Sequence, residues 1–194
     1  MSDGSASSPT GRGPFWAHQL QSGDPYELTD GHAIRCLPTG GRGSRGQLVG
    51  ATAIESDPEV EEAGVDTGYA PSAQTLRAPD IAIGNVPDRP GWVQGAPPLA
   101  VEYADTGQDE RDLELKISEL LRAGTRHVWV VRLSGPRHVE VHEPNAPIVS
   151  WYATEASRAP VVGTFHCYST SRFSNSAAAL IGAKAHLGDG FARS

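Results

Sequence analysis

Lysine is scarce in this chain of 194 residues: Lys116 and Lys184 stand among 16 basic residues, and the other fourteen are arginines. Cysteine is equally rare. Cys36 and Cys167 lie far apart without a CxxC partner, which excludes a structural zinc site and a disulfide framework, so the thiols are read as reduced. No run approaches the roughly 18–20 apolar residues of a membrane span. The start, Met1 to Gly13, is polar and lacks the apolar stretch of a signal peptide. These absences predict a soluble cytoplasmic protein with no membrane partner. A basic surplus is missing too: 23 acidic residues give a net charge of −7. The deficit sits in the middle, where Glu55 to Glu143 holds 17 acidic and 8 basic residues. Proteins held to nucleic acid mainly by phosphate contacts carry the opposite balance, which argues against tight nonspecific binding.

What is present fits one globular core. The hydrophobic fraction is 38% before counting 22 glycines, too high for wholesale disorder. Residues 1–13 read as a flexible arm, 14–144 as the main domain and 145–194 as a C-terminal extension with a terminal helix over Ala177–Leu187. Phe15–Leu20 suits a short helix. Tyr26–Thr29, Asp30-Gly31 and His32–Leu37 read as strand, turn and strand, the strongest short-range hairpin signal. Gly40 to Gly46 reads as a loop, because no strand-GxGxxG-helix pattern and no Gly-Lys-Ser/Thr makes it a phosphate cradle. Glu55 to Asp66 carries six acids and reads as a solvated loop or exposed helix. Ile81 and Ile83 alternate as in a strand, and Pro87 to Pro98 is a connection. Leu99–Tyr103 reads as a buried strand. A helix follows with Leu113, Ile117, Leu120 and Leu121 on one stripe and Gly124 as its stop. His127–Leu133 and Val139–His142 then form a second hairpin.

The chemistry resides in the order Pro79-Asp80, Glu102, Asp112 and Lys116. Carboxylates on two adjacent strands can share one divalent cation, and hard oxygens suit Mg²⁺ or Mn²⁺, completed by a backbone carbonyl such as that of Tyr103 and by water. A lysine on the helix over that sheet can approach the attacking water or a phosphate oxygen. Metal, carboxylates and lysine together make a phosphodiester-hydrolysing site.

The strings Ala78-Pro79-Asp80-Ile81-Ala82, Pro98-Leu99-Ala100-Val101-Glu102, Asp112-Leu113-x-x-Lys116 and Ala123-Gly124-x-x-x-Val128-Trp129-Val130-Val131 resemble the Uma2 family, also called DUF820, of the PD-(D/E)XK nuclease superfamily. Tyr26 to Gly31 looks like that family's opening hairpin, and the likeness spans residues 25–144. The resemblance implies an α/β fold with a restriction-endonuclease-like core: a mixed β-sheet flanked by helices, with an N-terminal β-hairpin. It implies Asp80 and Glu102 as metal ligands. The lysine that would follow the glutamate stands as Ala104 here, and Lys116 takes the place where Uma2-like sequences supply it from the helix. Three features depart from the family pattern. Ala104-Asp105-Thr106-Gly107 replaces a Ser-Pro-Ser turn, Leu120 stands where a tyrosine is common, and no clear amphipathic helix precedes the Pro-Asp pair.

Plainer readings stand beside these. Asp80 after proline suits a turn. Lys116 could pair along or near its helix with Asp112, Glu119 or Glu102. Glu27 is either an acid completing the site or an exposed hairpin carboxylate. His138 and His142 read as one exposed strand face, and Trp129 and Trp151 as packing aromatics. The expectation is a Mg²⁺- or Mn²⁺-dependent DNA endonuclease with Arg42, Arg45 and Arg77 as phosphate contacts, as a homodimer or larger homo-oligomer. The alternative is a catalytically silent nuclease-fold module serving protein binding or assembly.

Overall fold

The Asp30-Gly31 pair turns the chain where its sequence says it should. In the computed structural model, strands β1 (Tyr26–Thr29) and β2 (His32–Arg35) pair antiparallel with Thr29 opposite His32. Asp30 and Gly31 between them have φ of 45° and 74°. Positive φ at both positions is the two-residue turn that matches strand twist. The structure describes residues 12–153 and, beyond them, the backbone of three short strands at Val161–Val162, His186–Leu187 and Phe191–Arg193. The arm expected over 1–13 lies outside the described residues up to position 11. The terminal helix expected over 177–187 lies outside them up to position 185, and positions 186–187 are extended instead. A short 3₁₀ turn at Ala17–Gln19 stands where the helix of 15–20 was expected.

Gly40–Gly46 is not a loop. Gly40 caps a 15-residue helix, α1 (Gly41–Glu55), whose buried positions are Gly43, Gly46, Gly50 and Ile54. Glycine costs a helix about 1 kcal/mol per residue relative to alanine, so local propensity reads this stretch as a loop. Packing overrides it, because those residues recur on one buried face and Gly46 lets the helix lie close to a sheet. A Cβ at Gly46 would stand 3.2 Å from two ring carbons of Tyr103 and 3.4 Å from Leu133 Cδ1.

After α1 come β3 (Ala63–Val65), β4 (Tyr69–Ser72), β5 (Thr75–Arg77), β6 (Ile81–Ile83) and β7 (Val93–Gln94). Two of these modify the expected connections, β3 inside the acid-rich segment and β7 inside the Pro-rich one. Then follow β8 (Leu99–Ala104), helix α2 (Glu110–Arg122), β9 (His127–Arg132), β10 (His138–His142) and β11 (Val149–Ala153). The last strands are β12 (Val161–Val162), β13 (His186–Leu187) and β14 (Phe191–Arg193). One sheet has the order β2-β1-β5-β4-β7 and the other β14-β11-β10-β9-β8-β6-β3, while β12 and β13 form a separate parallel pair. In the larger sheet β8 and β9 are parallel, joined by α2 as crossover, and β6 pairs antiparallel with β8.

β8 explains the architecture. All six of its residues are buried, so it reads as an unbroken apolar run with one acid rather than an alternation. Leu99, Val101 and Tyr103 face the cluster that contains Ile54 of α1, together with Ile81, Ile83, Trp129 and Val131. Ala100 and Ala104 face Leu113, Ile117 and Leu120 of α2. The fold is therefore α/β, a mixed sheet with a helix on each face and the hairpin in the smaller sheet. α2 is fixed at both ends: the Asp109 side chain accepts from Asp112 N at 3.1 Å, and Gly124 leaves with φ 111°. Among the described residues no helix is long and apolar enough to cross a membrane.

The β10 face is also different from its expected exposure. His138 and His142 flank Glu140, with Nε2 at 3.2 and 3.5 Å from its carboxylate, and Arg132 donates to both Glu140 oxygens at 3.1 Å. β11 covers the outer edge of β10, and Tyr152 stacks on His138 at 4.7 Å. The close approach of His142, with the hydrogen bonds from Arg132 and His138, outweighs burial and holds the Glu140 carboxyl at about 2, below its usual 4.5. A depressed carboxyl adds stability above pH 4.5 that is lost as pH falls toward 2. Glu140→Gln is therefore expected to flatten the fall in urea midpoint between pH 5 and pH 2.5 relative to wild type. Gly46→Val is expected to destabilise the fold by about 1–3 kcal/mol through overpacking against Tyr103, read by urea denaturation at pH 7.

Candidate active site

Three elements bring their polar residues to one place beside β8. Glu102 is in the middle of that strand on the α2 face, with the residue only 6% exposed. Asp80 stands just before β6, where Ile81 pairs with Val101, so it lies beside Glu102 and Tyr103. Lys116 lies on α2 between Leu113 and Leu120, within the stripe that packs on the sheet, and its stem is carried under the helix. Its ammonium donates to the Ala78 carbonyl at 2.7 Å and stands 2.9 Å from Glu102 Oε1 and 3.1 Å from Glu27 Oε1.

Asp80 is held at both oxygens. The Tyr103 backbone N–H donates to Oδ2 at 2.6 Å, and the Gln47 side-chain amide of α1 donates to Oδ1 at 2.8 Å. Asp66, with φ 50°, sends its N–H to the Asp80 carbonyl at 3.4 Å.

Glu27 is a buried partner and not an exposed hairpin carboxylate. It receives the Ala78 N–H at 3.3 Å and the Arg77 guanidinium at 2.9 Å. Arg77 was expected to contact phosphate. Instead its side chain is 1% exposed, because β5 lies inside the smaller sheet and points it under α2. There it also donates to Glu119 at 2.6 Å and to Thr29, and Asp112 lies 3.8 Å away at the rim. Asp112 therefore pairs with Arg77 and not with Lys116 on its own helix. Arg42 is half exposed but engaged by Asp105, 2.8 Å from both carboxylate oxygens, and by Thr106. Arg45 is exposed on the same first turns of α1.

Five carboxylates, Glu27, Asp80, Glu102, Asp112 and Glu119, thus gather around two cations, and their electrostatics follow. Burial pushes the Glu102 carboxyl up to about 8, with Lys116 opposing it and Asp80 and Glu27 adding to it. Burial also raises Asp80, against the pull of Lys116 and the Tyr103 N–H. Burial alone would lower Lys116, but Glu102, Glu27 and Asp80 outweigh it and keep the ammonium charged. Glu27 is held below the usual range because Lys116 and Arg77 overcome its burial.

Among the described residues no group of three or more His, Cys, Asp and Glu side chains is arranged to hold a metal ion. The donors at hand are the Asp80 and Glu102 carboxylates and the backbone of Tyr103. Glu102 Oε1 is buried and faces the ammonium in an ion pair that falls short of hydrogen-bond geometry. Two carboxylates with unspent lone pairs fit a small hard cation that keeps several of its waters.

The sequence resemblance now has an independent counterpart. A family model for Uma2, described as "Putative restriction endonuclease", matches residues 16–161. The chain belongs to the Uma2 family. The crystal structure of a putative nuclease belonging to DUF820, from Anabaena variabilis ATCC 29413, is similar with a TM-score of 0.59 and 20% identity, over 69% of this chain and 80% of that one. It establishes a restriction-endonuclease-like fold for this Uma2 chain. No curated protein matches the chain.

Sequence reading placed Asp80, Glu102 and Lys116 in one site, and the structure brings them together. It missed Gln47 and Thr29, and it named Glu119 only as a partner for Lys116, whereas the structure pairs Glu119 with Arg77. The usable signal for Gln47 was a lone polar residue among helically spaced glycines, hidden once those glycines were read as a loop. Removing one partner from a buried ion network strands the others, so Arg77→Met is expected to destabilise the protein by about 3–5 kcal/mol in urea denaturation, far more than Arg45→Met on the surface.

Proposed function

We propose that this protein is a divalent-cation-dependent endonuclease that hydrolyses phosphodiester bonds in DNA. The observation that carries the reading is the convergence of a buried lysine on Glu102, 2.9 Å away, beside Asp80 with both its oxygens anchored. An unpaired carboxylate is expensive to bury, and folding alone gives no reason to gather a surplus of them. Membership of a family described as "Putative restriction endonuclease" supports the same reading.

Asp80 and Glu102 would hold Mg²⁺ or Mn²⁺, with the Tyr103 carbonyl and water completing the shell. When bound, the cation supplies charge neutralisation and a more acidic water. Lys116 keeps a permanent positive charge beside the carboxylates and can donate to a non-bridging phosphate oxygen or orient the attacking water. Glu27 and the Ala78 carbonyl fix where that charge stands. Arg45, and Arg42 once it leaves Asp105, present guanidinium groups near the start of α1 for the DNA backbone. The central acidic surplus limits nonspecific attraction, so affinity would depend on the cation and on few phosphate contacts.

Two observations favour a silent module: the ammonium already pairs with both Glu102 and Glu27, and the described residues hold no three-ligand metal cluster. Supercoiled plasmid separates the two readings. Wild type with Mg²⁺ or Mn²⁺ is expected to nick or linearise it and to stop with EDTA. Asp80→Ala and Lys116→Met are each expected to lose about 10²–10³-fold in rate. A wild-type protein that cleaves no DNA form with either cation supports the silent module instead.

A further inference from the structure

α1 is the helix that local propensity least favours, and its sheet-facing stripe shows what the glycines permit. Gly43, Gly46, Gln47, Gly50 and Ile54 follow helical spacing along that face, and Gln47 is its one polar member. At Gly46 the backbone comes close to the sheet: a Cβ there would press on the Tyr103 ring at 3.2 Å. Tyr103 is also the residue whose backbone N–H holds Asp80 Oδ2 at 2.6 Å. Close approach at Gly46 therefore sets the distance over which the next residue, Gln47, reaches Asp80 Oδ1, 2.8 Å from its amide nitrogen. A carboxylate only accepts, so the chemistry fixes the amide with its NH₂ toward Asp80. One donor on each oxygen, from α1 on one face and β8 beside it, fixes both the position and the plane of the carboxylate. Each oxygen keeps lone pairs for a further ligand.

We propose that Gln47 is a positioning residue, carried to Asp80 by the close approach of α1 to the sheet at Gly46, that orients this carboxylate for divalent-cation binding. The proposal rests on the reading of Asp80 as a metal ligand. Groups that orient a ligand typically contribute 10–100-fold to metal affinity, whereas a residue that merely fastens a helix contributes to stability alone.

The test uses the full chain and Mn²⁺, with free Mn²⁺ read by electron paramagnetic resonance and folding read by urea denaturation. Gln47→Met keeps the length of the side chain and removes the donor. Its Mn²⁺ dissociation constant is expected to rise at least about 10-fold. The Mn²⁺ concentration needed for plasmid nicking should rise by a similar factor, with the KM for DNA unchanged. If Gln47→Met does not fold, Gln47→Asn keeps the amide but withdraws it by one methylene, and the same loss is expected. A variant that binds Mn²⁺ within twofold of wild type overturns the assignment, whether or not its urea midpoint falls. Asp80→Ala separates this failure from a wider one. If wild type binds Mn²⁺ through Asp80 while Gln47→Met binds equally well, only the role of Gln47 is lost. If wild type binds no Mn²⁺, the metal site is lost with it.

Discussion

A buried chain of charge, from Glu119 through Arg77 and Glu27 to Lys116 and Glu102, is the constraint on which the rest of the structure depends. It joins the smaller sheet, through Glu27 of β1 and Arg77 of β5, to helix α2 and to the central strand β8 of the larger sheet. No member is satisfied alone. Arg77 is fully buried and requires two carboxylates, Glu27 requires both cations, and Lys116 donates to the Ala78 carbonyl and forms ion pairs with Glu27 and Glu102. Desolvating such groups costs several kcal/mol each unless the partners arrive together, so the two sheets and α2 must dock in one register.

That requirement and the candidate chemistry share residues. A network built for stability alone would approach neutrality, yet here five carboxylates surround two cations. The excess concentrates where Glu102 and Asp80 lie side by side and where burial pushes Glu102 up to about 8. Under the function proposed above, a hard cation would relieve that repulsion. Arg77 and Glu27 then act at a distance, by holding Lys116 in place.

Two helices on opposite faces of the sheet serve the site in the same manner. Each packs an apolar or glycine stripe on the sheet and carries polar residues inward beside it, Lys116 and Glu119 on α2 and Gln47 on α1. On α2 the stripe is leucine and isoleucine, with Asp109 capping its start and Gly124 ending it, and so the helix and its lysine were legible in the sequence. On α1 the stripe is glycine, which lowers local propensity, and both the helix and its glutamine were hidden. The acidic stretch from Glu55 conceals β3 for a related reason: a three-residue edge strand takes its pairing from β6 and little from its own composition.

The amino-acid sequence by itself determined the local elements with strong signals: the Asp-Gly hairpin, the unbroken strand β8, the capped helix α2 and the strand pair β9–β10. It also determined the family pattern that singles out Asp80, Glu102 and Lys116. Those features rest on turn chemistry, hydrophobic period and motif order, which are written in neighbouring residues. Tertiary structure alone decided that Arg77 is an internal counterion, that Glu27 is buried, that His138 and His142 share Glu140, and that a glycine-rich segment is a helix. Each of these depends on which charge or surface arrives from a distant segment, and a desolvated ion pair or a close helix-to-sheet contact has energy only once both sides are in place.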